Sequence, residues 1–276
     1  MTMAKKFLET ECELAMYKTF KLGIVVPAYN EEKLIAETLM GMPLTADRIY
    51  VVDDASTDAT RKIAESFPDK RICVLGNWHN QGVGASIVTG YKKALEESID
   101  VVVVMAGDNQ MSAQYLPDLL NPIVSGKADY TKGNRLTRPS HTKGMSKWRL
   151  FGNRILALLT KIASGYWRIG DPQNGYTAIT RDALKRIDLD KVYPRYGYPN
   201  DMLVKLNVAG CKVVDVPIPA RYGNEKSKIK YSIFISKVPP LLLRGFLWRI
   251  KTKYFSRTTP KLPERYPVRS ANNRTT

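Results

Sequence analysis

The run Val101-Val102-Val103-Val104-Met105-Ala106-Gly107-Asp108-Asn109-Gln110 ends an apolar stretch on a carboxylate and an amide. A carboxylate just beyond the carboxyl end of a strand can hold a hard cation, and that cation can hold a diphosphate. Asp108 could equally cap a turn or the helix that follows. A second candidate is the acid pair Asp53-Asp54, which closes the apolar stretch Ile49 to Val52. Two adjacent acids at a strand end can accept from a ribose hydroxyl or a base N–H. The alternative is that one caps the next helix and the other is solvated. Gly82-Val83-Gly84 is a third candidate, but Ile87 stands where a dinucleotide fingerprint has its last glycine. The pattern also follows the third strand of the chain rather than the first, so a packed helix start explains it better.

These residues need strands to aim them. Four valines and a methionine read as a central strand covered by helices on both faces. Three similar strands precede it, at Leu22 to Val26, Ile49 to Val52 and Arg71 to Leu75. Pro27 is expected to end the first strand, since proline cannot sit inside a central ladder. Asn30 is expected to cap the helix after it. Ser56-Thr57-Asp58 opens a second helix running to about Ser66, and a third runs from about Ala85 through Glu97. Strand and helix alternate, which predicts an α/β fold with a doubly wound, mostly parallel sheet.

After residue 112 the pattern loosens. A helix is expected over Leu116 to Val124, a short strand over Ala128 to Lys132, and helices over 146–163 and Tyr198 to Ala209. Asp171 to Tyr176 reads as a polar turn, and Val213 to Val216 as a strand ended by Pro217. Arg221 to Lys228 reads as a basic, flexible loop.

Lys and Arg number 43 against 26 Asp and Glu, a formal charge of +17. From Arg221 to Thr276 there are fourteen Lys or Arg and two Glu, so this stretch carries +12 of it. Such a tail suits an anionic membrane surface or a nucleic acid. No nucleic-acid-binding motif accompanies the charge, which ranks that partner last. No apolar run approaches the ~18 residues needed to span a bilayer. Glu9, Glu11 and Glu13 are unlike a secretory signal, so none is expected at the start. Cys12, Cys73 and Cys211 are odd in number and far apart, and His79 and His141 stand alone. They form no disulfide framework and no metal spacing, which suggests a reducing, intracellular setting.

Three motifs in order carry a resemblance: Val25-Val26-Pro27-Ala28-Tyr29-Asn30-Glu31-Glu32, Val51-Val52-Asp53-Asp54-Ala55-Ser56-Thr57-Asp58 and Asn80-Gln81-Gly82-Val83-Gly84. The chain thus resembles family 2 glycosyltransferases of the GT-A fold. Gly133-Asn134-Arg135, Asp171-Pro172-Gln173-Asn174-Gly175-Tyr176 and the Arg221-to-Lys228 loop resemble its polyprenyl-phosphate (dolichyl-phosphate) hexosyltransferase branch. The match covers about residues 22 to 230.

The resemblance implies an inverting transfer of a hexose from a nucleotide sugar, UDP- or GDP-linked, to a polyprenyl phosphate. It implies that Pro27, Ala28, Tyr29 and Glu31 hold the nucleoside with Asp54 and Gly82, and that Asp53 shares the task. The family's Asp-x-Asp metal motif falls on Ala106-Gly107-Asp108, so Asp108 and Gln110 would hold a divalent cation, Mg²⁺ or Mn²⁺. The first acid of that motif is Ala106 here, which removes one ligand. Arg135 would lie near the donor diphosphate or sugar, and Gln173 and Asn174 would line the sugar and acceptor side. Arg221 and Lys228 match the basic residues near the lipid phosphate. Asp201 stands where many members keep a catalytic acid. It could be a base, a sugar ligand or the orienter of a loop arginine, or only an acid in the first turn of a helix.

The expected organisation is a lead over 1–20, a catalytic domain over 21–230, a basic amphipathic segment over 231–256 and a disordered tail over 257–276. Within the segment, Pro240 can start a helix on which Leu243, Leu247, Ile250 and Tyr254 make one stripe. Arg244 and Lys251 lie to one side, and Arg249 and Lys253 beyond the other. That helix suits the headgroup layer, so the protein is expected to bind peripherally at the cytoplasmic face. The alternative is a helix packed on the catalytic domain. Two other functions stay open: a family 2 enzyme with a non-lipid glycan acceptor, and a catalytically silent nucleotide-sugar-binding protein, which Ala106 motivates.

Overall fold

The computed structural model describes residues 20–137, 147–219 and 231–255. Seven strands form one sheet: β1 Leu22–Ala28, β2 Arg48–Asp53, β3 Ile72–Gly76, β4 Val101–Val104, β5 Tyr130–Asn134, β6 Thr177–Thr180 and β7 Val213–Pro217, in the order β3-β2-β1-β4-β6-β5-β7. β6 runs antiparallel to both of its neighbours, and every other pairing is parallel. The helices are α1 Ile35–Met40, α2 Thr60–Glu65, α3 Val83–Glu96, α4 Leu116–Val124, α5 Lys147–Ser164, α6 Arg181–Arg186, α7 Tyr198–Val208 and α8 Tyr231–Ile250. The doubly wound, mostly parallel α/β sheet is as expected.

β1 sits mid-sheet and every one of its residues is buried, because helices cover both faces. Alternate residues feed two cores. Ile24, Val26, Val51 and Val103 meet Ile35, Leu39, Leu119 and Ile123 on one face. Val25, Val52, Val102 and Val104 meet Ile87, Tyr91, Met202 and Leu203 on the other. Helix propensity matters less here than this burial, since short helices gain most of their stability from packing.

Three local expectations are corrected. β1 does not stop at Pro27 but continues to Ala28, paired with Asp53. The Pro27 carbonyl still accepts from Gly107 N at 3.2 Å, and the N–H that proline lacks would face the side where β4 has already ended. Asn30 does not cap α1, which begins at Ile35 with no side-chain cap. It adopts a left-handed φ of 53° and stitches two loops together instead. The third correction is to α8, which starts at Tyr231 rather than Pro240 and carries Pro239 and Pro240 inside it. It packs on α5 and α7, with Val238, Leu242 and Phe246 against Leu156, Ala163 and Val204. β6 and α6 were not foreseen: four and six residues are too short for a period to declare itself.

Candidate active site

In parallel strands all carboxyl ends lie along one edge, which is where an open α/β sheet binds ligands. Asp53 ends β2, the tail Met105 to Gln110 follows β4, and Arg135 follows β5. β6 is antiparallel, so the turn 171–176 enters it at the same edge, with Thr177 opposite Val104 and Lys132. The topology therefore gathers Asp53, Asp108, Arg135, Gln173 and Asn174, which are scattered over more than a hundred residues of chain.

The loops that follow β1 and β2 are tied to each other by hydrogen bonds. Asn30 N donates to Ser56 Oγ (3.0 Å), Thr57 N to Asn30 Oδ1 (2.8 Å) and Glu31 N to Thr60 Oγ1 (2.7 Å). Asp54 N donates to Ala28 O at 2.9 Å, while Tyr29 is exposed beside this seam. Neither acid of the pair is solvated. Asp54 is buried and accepts from Asn77 Nδ2 (2.7 Å), Gln81 N (2.9 Å) and Gly82 N (2.8 Å). Its oxygens therefore hold the 77–82 loop. Asp53 is buried too. Its Oδ2 accepts from Ser56 N at 3.2 Å, while its Oδ1 has no partner among the described residues. A buried carboxylate oxygen without a donor is costly and marks a place for a ligand N–H or O–H.

Gly82 and Gly84 serve packing. A Cβ on Gly84 would sit 2.4 Å from Tyr193 O, and one on Gly82 would sit 2.7 Å from Pro194 O. Ala85 N donates to Pro194 O at 3.0 Å. The glycines let the start of α3 lie against the 193–195 segment.

On the metal-motif tail, Gly107 N donates to Pro27 O at 3.2 Å, and the Gly107 carbonyl accepts from Thr38 Oγ1 at 3.0 Å. This clamps Asp108 beside the end of β1. Gln110 N donates to Asp108 Oδ1 at 3.1 Å, an Asx-type turn that puts the two residues in one short loop. Tyr176 Oη donates to Ser112 O at 3.0 Å and fastens that loop to the 171–176 turn. Among the described residues no group of three His, Cys, Asp or Glu could hold a metal by itself. The donor set of one carboxylate and one amide carbonyl fits a hard cation completed by substrate phosphates and water, as Mg²⁺ sites commonly are.

The ends of β5 and β7 and the 171–176 turn share a buried charge network. Arg135 meets Asp171 side-on, Nε to Oδ2 at 2.7 Å and Nη2 to Oδ1 at 3.1 Å. Burial would raise the Asp171 carboxyl, but the Arg135 guanidinium and the Lys132 ammonium hold it below the usual range. Lys132 is fully buried and donates to the Asn174 carbonyl. Burial lowers its pKa from 10.5 to about 8, although Asp171 and Asp215 pull it back up. Asn134 Nδ2 donates to Asp215 Oδ2 at 2.6 Å, and burial raises the Asp215 carboxyl. Asn174 Oδ1 accepts from Tyr176 N at 3.0 Å. Gln173 Nε2 donates to Asn200 Oδ1 (3.1 Å), whose Nδ2 donates to Thr160 Oγ1 (2.6 Å).

Asp201 lies in the first turn of α7. Its Oδ2 accepts from Tyr193 N at 2.8 Å and lies 3.5 Å from Lys205 Nζ. Burial raises its pKa; Lys205 and the Tyr193 amide oppose the rise, and Arg244 of α8 adds to them. Arg221 and Lys228 lie outside the described residues. Sequence reasoning did not single out Lys132, Asp171, Asp215 or Asn77. A lysine inside a short strand, Lys132, was the one available signal.

The family model for glycosyl transferase family 2 matches residues 23–188. The chain is 28% identical over 214 residues to the UDP-N-acetylglucosamine–dolichyl-phosphate N-acetylglucosaminyltransferase of Methanococcus voltae, spanning 72% of this chain and 85% of that protein. It is 30% identical over 214 residues to the undecaprenyl-phosphate mannosyltransferase of Micrococcus luteus, spanning 70% and 81%. Among solved structures it is similar in fold to glucosyl-3-phosphoglycerate synthase from Mycobacterium tuberculosis, solved with Mn²⁺, uridine diphosphate and phosphoglyceric acid. The TM-score is 0.61 at 19% identity, covering 86% of this chain and 81% of that one.

Proposed function

The chain belongs to glycosyl transferase family 2, and from that premise we propose that it moves a hexose from a nucleoside-diphosphate sugar to a polyprenyl phosphate at a membrane surface. The relatives that act on dolichyl and undecaprenyl phosphate support the acceptor class. The observation that carries the donor side is Asp53 Oδ1, a buried acceptor with no partner among the described residues, at the edge where a base N–H would arrive. The catalytic unit spans residues 21–230, and 231–256 bind the membrane peripherally; no helix among the described residues is long and apolar enough to cross one.

A lipid-phosphate oxygen attacks the anomeric carbon while the bond to the nucleoside diphosphate breaks, and in-line attack inverts that carbon. The phosphate is already anionic near neutral pH, with a second pKa of about 6, so no strong general base is needed. Asp108 and Gln110 would hold a divalent cation, which would supply charge neutralisation for the leaving diphosphate. Asp53, with the Pro27-to-Glu31 loop, seats the nucleoside, while Asp54 works through Gly82 by holding the 77–82 loop in place. Arg135, aimed by Asp171, lies at the sugar–diphosphate junction, and Gln173 and Asn174 bound the acceptor side. Arg221 and Lys228 take the lipid phosphate, because cations position an anionic nucleophile without consuming it. Asp201 works as a positioning residue through Tyr193.

Ala106, in place of the first metal-motif acid, favours a second reading, a donor-binding protein without transfer. A panel of UDP- and GDP-hexoses with a short polyprenyl phosphate, with and without Mg²⁺ or Mn²⁺, separates the two. Metal-dependent glycolipid product is the expected result. Donor binding with no transfer to any acceptor would establish the silent reading. Transfer to a soluble glycan with no need for lipid phosphate would replace the acceptor.

A further inference from the structure

The C-terminal helix is fixed to the catalytic body by one face. Val238, Leu242 and Phe246 fill a core with α5 and α7. Arg249 is buried and caps α5, with Nε to Ala163 O at 2.8 Å and Nη2 to Ile162 O at 3.1 Å. This anchoring leaves other apolar residues of both helices outward. On α8, Leu243 is 60% exposed and Leu247 58%. On α5, Ile155 is 45% exposed, Leu158 54% and Ile162 41%, at helical spacings of three and four. Exposed apolar residues scattered singly are ordinary, but five large ones on two neighbouring helices mark an interaction surface.

Its charge identifies the partner. Neither Lys147–Ser164 nor Tyr231–Phe255 contains an Asp or Glu, while together they hold nine Lys or Arg. Arg154, Lys237, Arg244, Lys251 and Lys253 are exposed, and Arg249 alone among the α8 cations is buried by its capping role. A second copy would set like charge against like, which disfavours a dimer through this face. An anionic bilayer answers both features, since apolar side chains enter the acyl boundary while the cations meet headgroups.

We propose that α5 and α8 together form a docking surface for an anionic bilayer, with Ile155, Leu158 and Ile162 of the catalytic body as its second half. The purpose of this surface rests on the lipid-phosphate reading, because such an acceptor is met at a bilayer, and the inner face of α5 is tied to the 171–176 turn through Thr160, Asn200 and Gln173.

The test is sedimentation of the full chain with vesicles of phosphatidylcholine holding about one third phosphatidylglycerol, against pure phosphatidylcholine. The protein should bind the anionic vesicles and leave the neutral ones. L158E and L247E should each lower the bound fraction about tenfold, because each sets an acid at the centre of the apolar face. Transfer to a short, soluble polyprenyl phosphate should stay unchanged in both variants, and near-ultraviolet circular dichroism should show the fold intact. Wild-type vesicle binding by L158E would confine docking to α8 and overturn the two-helix surface. So would absent binding by the parent chain, or a dimer that both variants dissolve. Normal vesicle binding without any sugar transfer would leave the surface standing and overturn the proposed reaction instead.

Discussion

Asp108 and Lys132 show two ways in which a single ionisable group is set by its surroundings. Asp108 sits on a loop clamped by Gly107 and tied to Gln110, and the proposed reaction needs its charge for the cation. Asp108→Asn keeps the shape and removes that charge. Turnover should fall by about a hundredfold or more, as when other transition-state electrostatics are deleted, with the fold unchanged by circular dichroism. Lys132 is different because it touches only protein. Its pKa is depressed from 10.5 to about 8, chiefly by burial. Between those values the unfolded chain keeps a proton that the folded chain has released. Stability should therefore rise as pH climbs from about 8 towards 10.5. Urea unfolding across that range, compared between the parent and Lys132→Met, should show the rise only in the parent. Asp171 has the opposite problem: without Arg135 it is a buried charge with too little compensation. Arg135→Met should cost about 3–5 kcal/mol in urea unfolding, the range for breaking a buried pair from one side.

Among the elements, α3 and the 193–195 segment depend on close backbone approach. Gly84 leaves room for Tyr193 O where a methyl would sit 2.4 Å away, and that neighbour is backbone and cannot rotate aside. Gly84→Ala should lower stability by about 1–3 kcal/mol, the usual range for overpacking. It should also disturb Asp201, whose Oδ2 holds Tyr193 N, so donor or acceptor KM should shift along with the denaturation midpoint. The glycine pair was legible as a helix start rather than a dinucleotide fingerprint because its spacing and its place after the third strand were wrong for the latter. Its packing partner was not legible, since residues 193–195 lie more than a hundred positions away. β6 escaped for a related reason. Its direction is set by pairing with Val101 to Val104 on one side and β5 on the other, not by its four residues.

Across the whole molecule, candidate residues from both halves meet at one edge of the sheet, and the proposed cation site would be completed only by substrate. No group of three metal-ligating side chains exists among the described residues. Chelation with EDTA should therefore leave the melting temperature of the free protein unchanged while transfer is lost and is restored by Mg²⁺ or Mn²⁺. A melting temperature that fell on chelation would point to a structural metal instead.

The sequence by itself determined the parallel α/β core, the order of the strand-end motifs and their kinship with a glycosyltransferase family. Those features are local: apolar runs bounded by turn residues, and acids placed just after them. Tertiary structure decided what each acid touches. Asp53 and Asp54 are neighbours of the same type, yet one keeps a buried oxygen without a partner and the other spends its oxygens on the 77–82 loop. Only folding decides between them, because their partners come from segments that no spacing rule connects. It likewise turned one face of α8 inward and left the other bare, since helical periodicity states that a face exists and packing chooses what covers it.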